Sequence, residues 1–210
     1  GKTAMIRTTA IGAALALLLL VPGHCWAEMI LVPQDRGWYR EDAQHYTTNL
    51  SYLVGEHGIG GNYQIHRSFF VFDLSDVADP IESAELRLDL PGNGYDSGDP
   101  VETYVLYETS TSPASLIDGS GGTDAFDDLG TGTQLGSVSV SPGDAGTTVS
   151  ISLNASAVVA MNDAAGGQFA VGGALTTLDG AGNLEAIFVN THAGDLATTR
   201  LAITLVPEPG

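Results

Sequence analysis

Arg67-Ser68-Phe69-Phe70-Val71-Phe72-Asp73-Leu74-Ser75 is the stretch that decides the fold of this chain. Its residues 69–72 are apolar on both faces of an extended strand, which is typical of a central strand covered on both sides. Residues 84–90 follow after a turn and alternate apolar with polar or charged side chains. A period of two indicates a strand with one buried and one solvated face. The two segments predict a buried central strand followed by an amphipathic one.

The same alternation recurs at 149–153 and 201–205. Other segments of strand-like composition, separated by turn residues, are 36–40, 50–54, 101–108, 135–140, 168–176 and 185–190. One segment breaks the pattern, because Asn154 can cap a short helix over 155–164. So many strands with one short helix predict an all-β fold in a single domain, 28–205. The form we expect is a two-sheet antiparallel β-sandwich, jelly-roll-like in its connections.

The first 27 residues have the three-part layout of a secretory signal peptide. Arg7 supplies the positive charge, residues 11–21 are apolar or small, and small residues precede a cleavage site between Ala27 and Glu28. The apolar stretch is shorter than the roughly 20 residues that a membrane-spanning helix needs. The sequence therefore predicts export, with an extracellular or cell-surface location for the mature protein.

The exported part of the chain is strongly acidic. The whole chain carries a formal net charge of −18, and all 25 Asp and Glu residues follow the leader. Such a surface repels nucleic acid and anionic membranes, so neither is an expected partner. A soluble, self-repelling secreted domain, cation binding and adaptation to high salt all remain open. Cys25, the one cysteine, lies in the leader, so the mature domain has no disulfide bond.

Two segments resemble a known signature. Residues 67–75 and 81–88 resemble the R-x-F-(L/V)-x-F-D-L-S … I-x-S-A-x-L-R-L pattern of bacterial extracellular jelly-roll modules. These are the carbohydrate-binding-module-like group called DNRLRE domains. The resemblance implies a jelly-roll fold and says little about the ligand.

The mature chain also resembles a set of PEP-CTERM proteins. The segments that carry this resemblance are 36–39, 99–104, 125–132 and 172–178. In that family a Val-Pro-Glu-Pro motif leads a membrane helix and a basic cluster, and an exosortase processes this tail. Val206, Pro207, Glu208 and Pro209 match the motif, so residues 206–210 are expected to be the start of a sorting signal. We expect membrane contact only through a C-terminal tail that this chain does not contain.

The sequence shows no established catalytic motif. It has no Gly-x-Ser-x-Gly elbow, no His-Glu-x-x-His and no Cys/His pair, so we expect no enzymatic activity. Glu102 and Glu108 lie on the same face of one predicted strand, together with Tyr104 and Leu106. A glycoside hydrolase uses two carboxylates, but an ordinary solvated strand face has the same composition.

Two acidic clusters are candidate metal ligands, and Ca²⁺ is the cofactor they could hold. One comprises Asp124, Asp127 and Asp128 in a Gly-rich turn, and the other Glu41 and Asp42. Neither has the D-x-D-x-D-G spacing of a calcium-binding loop. The alternative for each is a turn in which a carboxylate accepts hydrogen bonds from backbone N–H groups.

Aromatic side chains are the candidates for glycan binding. Trp38, Tyr39 and Tyr104 could stack on pyranose rings if the strands that carry them expose the ring faces. The competing interpretation places these rings in the core or at its border.

The sequence as a whole favours an exported, non-enzymatic protein with a structural or adhesive role in the cell envelope or extracellular matrix. Its expected partners are an exopolysaccharide or surface glycan and an exosortase-type processing enzyme. The alternative is a carbohydrate-binding module with a structural calcium ion.

Overall fold

The computed structural model describes residues 28–180, 182–191 and 195–206. The expected signal peptide, including Ala27 of the cleavage site, lies outside the described residues. Pro207, Glu208 and Pro209 of the expected sorting motif lie outside them as well.

The described residues form twelve strands and three α-helices. The strands are β1 Glu28–Leu31, β2 Asp35–Arg40, β3 Val54–Ile59, β4 Asn62–Asp73, β5 Ile81–Asp89, β6 Tyr95–Ser97, β7 Glu102–Glu108, β8 Gln134–Val140, β9 Thr148–Ser152, β10 Gln168–Leu175, β11 Glu185–Ile187 and β12 Thr199–Leu205. The helices are α1 Pro113–Asp118, α2 Gly122–Asp128 and α3 Ala155–Asp163. None of these helices is long and apolar enough to cross a membrane.

The strands form two antiparallel sheets. The smaller sheet has the order β1-β12-β5-β9. The larger has the order β6-β11-β3-β4-β10-β7-β8, and β2 pairs with β4 beside this path. The all-β, two-sheet antiparallel sandwich predicted from the sequence is confirmed.

The core lies between the two sheets, as the period-two pattern predicts. Leu86 and Leu88 of β5 are almost fully buried and share one hydrophobic cluster with Phe70 and Phe72 of β4. Burying a side chain of this size contributes about 1.5–3 kcal/mol. Phe69, from the same Phe-rich strand, packs in a second cluster on the opposite face of the larger sheet. The prediction of a central strand covered on both sides is therefore confirmed.

The helices α1 and α2 cover that second face and were not expected from the sequence. Ser112 caps α1, because its side chain accepts a hydrogen bond from the Ser115 N–H, and Pro113 stands in the first turn. Gly119 ends the helix in the left-handed region at φ 78°. Asp124, Asp127 and Asp128, which were expected to lie in a Gly-rich turn, are thus part of α2. The predicted helix after Asn154 is present as α3, with the Asn154 side chain accepting from Ala157 N.

One predicted strand is displaced along the chain. Residues 50–54 were expected to be a strand, whereas β3 begins at Val54 and ends at Ile59. The turn into β4 is made by Gly60 and Gly61, both at positive φ. A two-residue turn with two positive φ angles matches the right-handed twist of a hairpin, which explains the two glycines.

The two ends of the described chain meet at one end of the smaller sheet. Glu28, the first residue of β1, pairs with Thr204 near the end of β12. Val206 then leaves the sheet, and its N–H donates to the Pro80 carbonyl at 2.8 Å. Asp89 and Thr148 form a pair at the other end of the same sheet.

Candidate functional site

Three carboxylates meet at one edge of the larger sheet. Asp99, Glu102 and Glu185 each offer an oxygen, and these oxygens lie within 4.8 Å of one another. We call these three residues the acidic group. Glu102 begins β7, Glu185 begins β11, and Asp99 lies in the loop between β6 and β7. Hydrogen bonding of β11 to β6 brings Glu185 next to this loop.

Two members of the acidic group are buried and held by hydrogen bonds. Glu102 is 0% exposed and Glu185 is 3% exposed. Ser97 Oγ donates to Glu102 Oε1 at 2.6 Å, and the Thr177 hydroxyl donates to the other oxygen of Glu102. The Asp179 N–H donates to Glu185 Oε2 at 3.0 Å. The carboxylates therefore have fixed positions rather than mobile side chains.

The electrostatics of the acidic group favour a proton or a cation. Burial raises the pKa of Glu185, and the nearby negative charges of Asp179 and Glu102 raise it further. Within the described part of the chain, no arginine forms an ion pair with Glu102 or Glu185. Buried carboxylates this close repel each other unless a positive charge is shared among them.

The metal ligands expected from the sequence do not belong to the acidic group. The first expected cluster is engaged in contacts of its own. Asp128 accepts from the Thr109 hydroxyl and from the Thr111 N–H, and Asp127 lies 3.9 Å from Arg67. Asp124 is in the first turn of α2. These residues lie on a helix and not in the expected turn.

The two carboxylates of the second expected cluster also bind neighbouring protein groups. Asp42 pairs with Arg40, and Glu41 accepts from the Ile65 N–H at 3.1 Å. Among the described residues, none of the five expected ligands joins a group of three close potential ligands. Sequence reasoning missed the acidic group because its members come from separate segments.

The expected glycan-binding rings lie in the interior. Trp38 is 6% exposed, and Tyr39 and Tyr104 are fully buried. The Tyr39 hydroxyl donates to the Ser115 carbonyl at 2.7 Å, and that of Tyr104 bonds the Ser68 hydroxyl at 2.7 Å. In this structure none of the three rings offers a face to a sugar, and the competing interpretation of core rings describes them correctly.

The two carboxylates of β7 also differ in environment. Glu102 is buried in the acidic group, whereas Glu108 at the other end of the strand is exposed. The interpretation of Glu102 as part of an ordinary solvated strand face is therefore wrong, because its side chain is buried.

A second concave feature opens at one end of the smaller sheet, and we call it the strand-end cleft. Its volume is about 590 Å³. Its walls are Tyr52, Asp89, Leu90, Pro91, Gly146, Thr147, Thr148, Thr191, Thr198 and Arg200. The sequence pattern contained no signal for this cleft, because its walls come from five separate segments.

An ion pair lies in the strand-end cleft. Arg200 Nη2 donates to Asp89 Oδ1 at 2.7 Å, and the Thr148 hydroxyl donates to the same oxygen at 2.7 Å. Arg200 Nε is buried and has no hydrogen-bond partner among the described residues. The Tyr52 hydroxyl donates to the Asp89 carbonyl at 2.6 Å and fixes the end of β5. The cleft thus offers fixed donors and acceptors with little net charge.

No protein-family model matches the chain, and no curated protein matches it.

Proposed function

We propose that this protein is an exported, non-enzymatic domain with a structural or adhesive role in the cell envelope or extracellular matrix. The observation that carries the proposal is the pairing of Glu28 with Thr204. Glu28, which would follow the expected cleavage site, and Val206, which would begin the expected sorting motif, thus lie at the same end of the domain.

This arrangement suits a domain that is held at one end. A tail that continues from Val206 would attach the domain there and leave the opposite end of the smaller sheet facing outward. Arg200 and Leu205 are five residues apart on β12, which at roughly 3.4 Å per residue separates the two ends of this strand by about 17 Å. The net charge of −18 keeps such domains soluble and prevents non-specific association outside the cell.

Export is tested by fractionation of bacteria that produce the full chain. The mature protein is expected outside the cytoplasm with Glu28 as its first residue, and removal of 11–21 should keep it inside. In a host with an exosortase-type enzyme, with a membrane helix and a basic cluster appended after Gly210, Glu208→Ala should block sorting, whereas the exposed loop variant Asp76→Ala should not. A protein that stays in the cytoplasm with residues 1–27 attached would overturn the proposal.

A second candidate function is a carbohydrate-binding module with a structural calcium ion, and the acidic group favours it. Ca²⁺ binds carboxylate and carbonyl oxygens. Asp99, Glu102 and Glu185 would hold the ion, which would neutralise the repulsion between the buried carboxylates and tie β7 to β11. Stabilisation of the protein by calcium that Glu185→Gln abolishes would support this candidate.

A further inference from the structure

We propose that the strand-end cleft binds a neutral, hydroxyl-rich ligand, namely one or two sugar units of an uncharged glycan. This inference names the partner class for the adhesive role and rests on that proposed function.

The cleft has the size of a ligand site and is already formed. Its volume of about 590 Å³ lies within the roughly 300–1,000 Å³ of small-molecule sites. Its walls hold one another, since the Leu90 N–H donates to the Thr147 carbonyl at 2.8 Å and the Gly146 N–H donates to the Leu90 carbonyl at 2.9 Å. A preformed site loses little conformational entropy on binding.

The polar groups of the cleft match sugar hydroxyls. Asp89 is an acceptor and Arg200 a donor, side by side at 2.7 Å, and both side chains are more than a third exposed. A pair of neighbouring sugar hydroxyls can donate to one and accept from the other, because each hydroxyl does both. Leu90 and Pro91 add apolar surface next to these groups, which suits the C–H face of a pyranose.

Charge argues against other ligands. The carboxylate of Asp89 neutralises the guanidinium of Arg200, and the domain around them is strongly acidic. A phosphate or a uronate would therefore be repelled over a long range. A cation would be repelled by the positive charge of the Arg200 guanidinium. Threonine hydroxyls and the ion pair make the cleft too polar for an apolar ligand.

The position of the cleft agrees with an adhesive role. Asp89 and Arg200 lie at the end of the smaller sheet opposite to Glu28 and Thr204. A domain held through its C-terminal end would point this cleft away from the cell.

The test is a glycan array with neutral, uronic-acid and sulfated oligosaccharides, probed with the exported protein. We expect retention of at least one neutral glycan. Titration with that glycan should show at least a tenfold weaker affinity for Arg200→Met. The matched control is Arg87→Met, since Arg87 pairs with Arg200 across the strands but bonds Glu85 and Glu28 outside the cleft. It should bind within about twofold of the wild type.

If Arg200→Met does not fold, the same affinity measurement is made with Thr148→Val, which removes only one hydroxyl from the cleft. Binding of acidic glycans alone, unchanged affinity in the cleft variant, or no retention of any neutral glycan would each overturn the inference. An exported, correctly processed protein without glycan affinity would overturn the cleft ligand and leave the structural role intact. Glycan affinity in a protein that is not exported would overturn the location instead.

Discussion

The guanidinium of Arg36 is fully buried and donates from Nη1 to the Thr199 hydroxyl at 2.7 Å. Arg36 belongs to β2 of the larger sheet and Thr199 begins β12 of the smaller sheet. The same guanidinium donates to the carbonyls of Leu50 and Asp195, at 2.8 Å and 2.6 Å. One side chain thus joins both sheets and the loops around them near the strand-end cleft.

Replacement of Arg36 by methionine should destabilise the protein by about 3 kcal/mol or more, because it leaves several buried acceptors without donors. The midpoint of urea unfolding measures the loss. Arg40→Met on the same strand is the control, since Arg40 makes a solvent-exposed ion pair with Asp42, which contributes little to stability. Equal losses in the two variants would show that the buried network does not hold the sheets together.

Replacement of Gly172 by alanine should cost about 2 kcal/mol. A Cβ at this position would lie 2.6 Å from Leu129 Cα, so β10 and the end of α2 would have to separate. Gly92 has open space around it and an ordinary backbone conformation, and Gly92→Ala should change stability by less than about 0.5 kcal/mol. Thermal melts of both variants test the close packing of α2. A neutral Gly172→Ala would contradict it.

Acidification should destabilise the protein through His66. Burial lowers the pKa of His66 from 6.5 to about 4, and the neighbouring His57 and Arg40 act in the same direction. The unfolded chain binds the proton as the pH falls through 6.5, while the folded protein does so only near pH 4. The stability is therefore fully present above pH 6.5 and is lost progressively as the pH falls to 4. The total loss is up to about 3 kcal/mol.

Denaturant unfolding between pH 7 and pH 4 measures this dependence. His66→Gln should flatten the profile in that window, even if it lowers the stability at pH 7. His57→Gln keeps the buried imidazole and should keep most of the pH dependence, because burial is the largest cause of the lowered pKa of His66. Identical slopes for His66→Gln and the wild type would show that another group is responsible.

Calcium should raise the melting temperature if the acidic group holds the ion. Calcium at 100 times its dissociation constant contributes about 2.7 kcal/mol, which corresponds to a rise of roughly 5–10 °C for a domain of this size. EDTA should reverse the rise, and Glu185→Gln should abolish it. The exposed Glu108 is the control, and Glu108→Gln should keep the full response. A melting temperature that neither calcium nor EDTA changes removes the calcium candidate.

Much of the fold was predictable because the period-two pattern reports burial directly. Residues 84–90 follow it over their whole length and bury their apolar side chains, as predicted. The displaced β3 shows where the pattern fails, since Gly55 and Gly58 interrupt it. A Cβ on Gly55 would lie 2.2 Å from the Glu185 carbonyl, so β11 requires a glycine there. That contact depends on strand order, which the local sequence does not contain.

The candidate sites were not predictable for the same reason. Asp89 and Arg200 are 111 residues apart and meet only because β5 pairs with β12. The acidic group depends in the same way on the neighbouring positions of β6, β7 and β11. Carboxylates that are neighbours in sequence, such as Asp127 and Asp128, do not act together, because Asp127 pairs with Arg67 and Asp128 accepts from Thr109 and Thr111.

The most direct test of an exported domain held at its C-terminal end is cysteine labelling on intact bacteria that produce and sort the protein. After removal of Cys25 with the leader, an introduced cysteine is the one thiol in the protein. Gly92 lies at the same end of the smaller sheet as the strand-end cleft. Glu82 lies at the opposite end of that sheet, near Val206, where the chain leaves β12. A bulky membrane-impermeant maleimide should label Gly92→Cys fully and Glu82→Cys more slowly. Labelling of Gly92→Cys only after lysis would contradict the account.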